Sequence, residues 1–128
     1  MFNKSGISTQ IAGAPVQILA SVEHQYSVGC VVSNVLGTVI NNRKIVKAGT
    51  PLSINLMNRT TPGVLATASV AMNAVLLHDV DVTNGNANGT ALIFGFVNIN
   101  RLEEDIQTLV TAATGNANAS KQVVFLQS

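Results

Sequence analysis

The pattern of apolar and polar positions is densest between residues 74 and 99, and that stretch predicts the centre of the fold. Val75-Leu76-Leu77 is apolar at every position, and His78-Asp79-Val80-Asp81-Val82 then alternates. A period of two is the mark of a half-buried strand, and a run apolar on both faces must be covered on both. Residues 90–99 form a second, more apolar run. Asn84-Gly85-Asn86-Ala87-Asn88-Gly89 lies between them and is rich in residues that tolerate left-handed backbone. The pattern therefore predicts one β-hairpin with other segments packed around it.

The flanking chain reads as short extended pieces. Residues 16–22 and 26–32 are strand candidates. Residues 34–40 are less regular, with a bend at Gly37, and Asn41-Asn42-Arg43-Lys44 is a turn. Residues 45–52 form a strand that Gly49 and Pro51 end and redirect, since proline cannot donate to a ladder. Residues 53–63 are a polar loop closed by Pro62-Gly63. Residues 64–71 fit loop and strand better than helix, because Val, Thr and Ser accompany the alanines. Residues 98–115 are the one helical stretch: Leu102, Ile106, Leu109, Val110 and Ala113 fall on one face. Asn100 is expected to cap it with Glu103 three residues on, and Gly115 to end it. Residues 123–126 are a terminal strand. The chain order predicts an α+β, mainly-β domain, a small sandwich or barrel-like body over residues 16–128. Residues 1–15 read as a flexible N-terminal arm, either a frayed chain end or a segment that orders only on a partner.

Composition narrows the function. Only 10% of the 128 residues are charged and the net charge is +1. Soluble domains carry roughly 25% charge, so much of this surface is neutral Asn, Thr, Ser and Gly. Such a surface suits a subunit that packs against copies of itself or a partner. With no basic block beyond Arg43-Lys44 and Lys47, which read as a solvated turn, neither nucleic acid nor an anionic membrane is an expected partner. No run approaches the ~20 apolar residues of a membrane span, and the N-terminus lacks a signal-peptide core. A single cysteine, Cys30, excludes an internal disulfide and reads as a small buried hydrophobe.

Candidate chemistry is sparse. His78, Asp79 and Asp81 are the one titratable cluster. In a continuous strand the two carboxylates would share a face, and Asn84, Asn86 and Asn88 could add oxygens for a divalent cation. The plainer reading is a strand turning polar at the surface. Gly85 and Gly89 do not form a phosphate loop, which ends in Gly-Lys-Ser/Thr before a helix. Leu92, Phe94 and Phe96 on one strand face read as core. Glu103, Glu104 and Asp105 read as helix-start acids. No nucleophile, base and orienting group stand together in the pattern, so no catalytic, cofactor-binding or metal-ligating residue is assigned.

Three runs carry a family resemblance: Ile45-Val46-Lys47-Ala48-Gly49-Thr50-Pro51-Leu52, residues 74–83 ending in Leu76-Leu77-His78-Asp79-Val80-Asp81-Val82-Thr83, and residues 91–102 with Leu92-Ile93-Phe94-Gly95-Phe96-Val97-Asn98. As a set they resemble the head decoration proteins of tailed phages, the capsid-stabilising proteins of the phage lambda type. The resemblance covers roughly residues 45 to 110, and the helix followed by a further strand departs from the pattern. It implies a non-enzymatic virion protein on the capsid exterior, made in the host cytoplasm. Its partners would be the major capsid protein and itself, as homotrimers at three-fold and quasi-three-fold positions. Ser5, Gly6, Ile7, Ser8, Thr9, Gln10 and Ile11 would be the capsid-binding arm, adding a strand to a sheet edge of the shell. The alternative expectation is a virion surface module that binds host carbohydrate through the Asn-rich loop at 84–89 and the loop at 53–63, or a head-fibre role.

Overall fold

The computed structural model describes residues 17–21 and 25–127. Its strands in chain order are β1 (Tyr26–Val32), β2 (Thr38–Ile40), β3 (Arg43–Val46), β4 (Pro51–Ser53), β5 (Val64–Leu65), β6 (Ala74–Leu76), β7 (Val80–Asp81), β8 (Ala87–Asn98) and β9 (Val123–Leu126), with one α-helix, α1 (Glu104–Thr114), before β9. The larger sheet has the order β1-β8-β6-β4-β5, and β9 joins it on β8. The smaller sheet has the order β2-β3-β7. All pairings are antiparallel except β8 with β9. The result is the expected mainly-β α+β fold, built as two open sheets and one C-terminal helix rather than a closed barrel.

The twelve-residue β8 is the spine. Its edges are taken by β1, by β6 and β9, and at the far end by Leu19, which bridges to Val97. Both faces are covered at Ala91 and Leu92, as the apolar run predicts, while Asn88 nearer the start of the strand is exposed. On one side α1 drops Ile106, Val110 and Ala113 onto Val75, Leu92 and Val97. On the other, Val46, Val80 and Val82 close over Leu52, Leu76 and Ala91. Leu76 and Leu92 are fully buried. At about 1.5–3 kcal/mol for each large apolar side chain buried, these two layers supply the main driving force.

The hairpin is the first correction. The chain does not run as one strand from Val75 to Val82. Val75 pairs with Leu92 and Leu76 with Ala91, and the strand then breaks. Asp79 Oδ1 accepts the Ala48 N–H at 2.7 Å, and Val80–Asp81 crosses to the smaller sheet, where Val46 faces Val80 and Ile45 faces Asp81. The break lets Val80 and Val82 bury in the second core while Leu77 stays in the first. The hairpin thus ties the two sheets together.

The helix start is the second correction. Asn98, not Asn100, is the capping side chain: its Oδ1 accepts the Asn100 N–H and opens a short 3₁₀ turn, Ile99–Arg101. The α-helix begins afterwards at Glu104, with no side-chain cap bond from Glu103. Glu104 and Asp105 do lie in its first turn, where the helix dipole favours negative charge. Gly49 explains the redirection before β4. It holds φ +92°, and a Cβ there would lie 2.5 Å from the Leu102 side chain. Only glycine gives both the left-handed turn and the close approach to the helix entrance.

Candidate functional site

The side chains singled out in the sequence do not form one site. Asp79 and Asp81 are engaged separately. Asp79 holds the Ala48 amide. Asp81 accepts the Thr83 N–H and hydroxyl at 2.9 and 2.6 Å and pairs with Arg43 across the smaller sheet. The two Thr83 bonds and then the Arg43 guanidinium hold the Asp81 carboxyl down to about 2. His78 is exposed on the break between β6 and β7. Among the described residues, no three His, Cys, Asp or Glu side chains stand close enough to share a metal ion.

The Asn-rich loop is shorter than the sequence suggests, because β8 already begins at Ala87. Gly85, at φ +126°, donates to the Val82 carbonyl, and Asn86 Oδ1 accepts the Asn34 N–H at 2.9 Å. Asn86 therefore ties the loop to the turn after β1. Asn84 and Asn88 remain exposed.

Lys47 departs from the solvated-turn reading. Its side chain is only 12% exposed, and Nζ donates to Glu103 at 3.0 Å and to Asp105 at 3.1 Å. Burial works against the ammonium, but the hydrogen bonds and charges of Glu103 and Asp105 outweigh it and raise Lys47 above the ordinary lysine value. The acids at the helix start thus pin α1 to the strand-to-turn passage after β3. Cys30 is buried in β1. Burial raises its thiol, with the Arg59 charge pulling the other way, so its environment favours the protonated, unreactive form.

Two surfaces remain as places where another molecule could sit. One is an open groove of about 440 Å³ between the end of α1 and β9, lined among others by Val110, Thr111, Thr114, Lys121 and Val123. The other is an apolar face that the sequence reading missed. Leu92, Phe94 and Phe96 do not share a face. The register of β1 against β8 slips between Tyr26 and Ser27, so that Tyr26 faces Phe94 while Ser27 faces Leu92, and Ile93 is the extra residue of a bulge. Leu92 points into the helix-side core, whereas Phe94 is 48% exposed. The available signal was weak: Gly95 beside two aromatic residues hints at an irregular strand, but nothing local fixes which side chain is turned outward.

Ser5, Gly6, Ile7, Ser8, Thr9, Gln10 and Ile11 lie outside the described residues. Among the described residues, no helix is long and apolar enough to cross a membrane. No protein-family model, curated protein or solved structure matches the chain.

Proposed function

We propose that the protein is a structural component of a phage virion that binds the outer surface of the mature capsid and cements it. It acts as trimers at three-fold and quasi-three-fold positions, with the major capsid protein as its partner. The observation that carries the reading is the resemblance of residues 45–52, 74–83 and 91–102 to head decoration proteins. These runs are neighbours in space: Pro51 pairs with Val75, and Val75 with Leu92. Their other ends, Ile45-Val46 and Val80-Asp81, pair with each other in the smaller sheet, so the runs are neighbours across both sheets rather than scattered matches. The low charge of the chain also supports the reading, since neutral surface is cheap to desolvate against a neighbouring subunit.

The mechanism is multivalent clamping. Each copy makes a modest contact through residues Ser5 to Ile11, and many copies on a closed shell sum to a large stabilisation. An extended arm gives affinity through main-chain hydrogen bonds and so asks little of its side chains. Removing residues 1–15 is expected to abolish binding to shells while leaving the melting temperature of the remaining domain nearly unchanged. Unimpaired shell binding by the shortened chain would remove the arm from the account.

A further inference from the structure

The chain contains the dipeptide Asn-Gly twice, at Asn84-Gly85 and at Asn88-Gly89. In this pair the backbone nitrogen of the second residue can reach the side-chain amide carbon of the first, because glycine has no Cβ to obstruct the approach. Closing that five-membered ring needs the peptide nitrogen to swing round towards the asparagine Cβ, out of the extended conformation. Both asparagines are exposed to water. Exposure does not distinguish them, but the backbone around each does.

Asn88-Gly89 lies inside β8. Asn88 faces Val31 and Gly89 faces Cys30 in the ladder with β1. On the other side of the strand, Leu77 N–H donates to the Thr90 carbonyl at 2.9 Å. A Cβ on Gly89 would stand 2.8 Å from the Val32 side chain, 3.0 Å from Val80 and 3.2 Å from Leu76. The peptide between Asn88 and Gly89 is therefore held extended, and it cannot rotate without opening the ladder and pressing on that core. Asn84-Gly85 lies in the turn after β7. Gly85 holds φ +126°, and a Cβ there would meet nothing within 4 Å. Its N–H donates to the Val82 carbonyl at 3.2 Å, the long end of the usual range. The bond that ties the loop to the turn after β1 belongs to Asn86 and leaves the Asn84-Gly85 peptide free to turn.

We propose that Asn84 is a site of spontaneous deamidation in the folded protein and that Asn88 is protected from it by the sheet. The Gly85 nitrogen gives its proton to solvent base and bonds to Asn84 Cγ. The Cγ–Nδ2 bond breaks, and Nδ2 leaves as ammonia. Water then opens the cyclic imide at either carbonyl and returns a proton to the Gly85 nitrogen. Opening at the side-chain carbonyl leaves an aspartate at position 84. Opening at the main-chain carbonyl leaves a β-linked aspartate whose backbone is longer by a carbon. A water is consumed and an ammonia released, with no oxidation or reduction. Either product adds a negative charge to a chain of net charge +1. It does so next to Thr83, whose N–H and hydroxyl hold Asp81. The β-linked form also lengthens the turn that the Gly85-to-Val82 bond closes. The inference goes beyond the shell-binding reading and does not rest on it, because it concerns the chemistry of the isolated protein.

The test is timed incubation of the full chain, folded and in parallel unfolded in urea, in mildly acidic and mildly alkaline buffer. Mass spectrometry of its peptides, with fragmentation, then assigns conversion to each asparagine. In the folded protein Asn84 should convert at least about tenfold faster than Asn88, since a strand held in the core opens only rarely. In urea the two should convert at similar rates, because the ladder that protects Asn88 is gone. The folded rate at Asn84 should rise from acid to alkali, as the attacking nitrogen must lose its proton. Equal conversion at the two positions in the folded protein, or none at Asn84, would overturn the proposal. A difference that persists in urea would also overturn it, by placing the cause in the neighbouring sequence and not in the fold.

Discussion

The two halves of β8 lie in different surroundings, and the more apolar half is the less covered one. At Ala91 and Leu92 the strand is sandwiched: the helix-side core covers one side and the core under the smaller sheet the other, and both residues are fully buried. From Phe94 to Asn98 only the helix side is covered by the core, and Phe94 stands half in solvent. Composition does not explain the difference, since the second half is the more aromatic. The smaller sheet is short, and one extra residue at Ile93 turns the following side chains over. The same apolar residue is core or contact surface according to what the rest of the chain can reach.

That contrast can be broken most sharply in the sandwiched half. Leu92→Ala is expected to cost about 2–5 kcal/mol, measured by urea unfolding, because the helix-side core around it can collapse only partly into the space left. A cost below about 1 kcal/mol would mean that this half is no better packed than the other.

The next effect concerns the clamp on the smaller sheet, and it depends on pH. The folded Asp81 carboxyl is held to about 2, below its ordinary value. Its contribution is therefore fully present above the carboxylate range of the unfolded chain, near pH 4, and is lost as pH falls through about 2. Melting of the protein and of Asp81→Asn should differ at neutral pH, with the variant less stable, and converge as the pH approaches about 2. A difference that persists unchanged in acid would show that the clamp does not act through charge. The smallest effect belongs to the open half. Phe94→Ala should change stability by less than about 1 kcal/mol, the range of a cross-strand pair such as the one Phe94 makes with Tyr26.

What could be read from the sequence follows the range of the forces involved. The apolar run at Val75-Leu76-Leu77 demanded cover on both faces, and it has it. The helix, its buried face and its end at Gly115 were legible because the spacing of Ile106, Val110 and Ala113 is a local property. The cap was misread by two residues, since Asn98 and Asn100 are equivalent as caps until the 3₁₀ turn chooses between them. The break at Asp79 and the bulge at Ile93 were not legible. Each depends on a partner far away in the chain, the Ala48 amide in one case and the register against β1 in the other. Lys47 was misplaced for the same reason, because the acids that bury it lie 56 and 58 residues on. The arm residues Ser5 to Ile11 fall outside the described residues, so their place rests on the resemblance and on the sequence pattern alone.

The central claim is that the protein binds the outside of a capsid. It is tested most directly by co-sedimentation of the purified full chain with expanded, undecorated capsids of its own phage, with unexpanded proheads alongside. The account predicts saturable binding to the expanded shells and none to the proheads, a result that would point to a site created by maturation. Failure to bind either shell would contradict it.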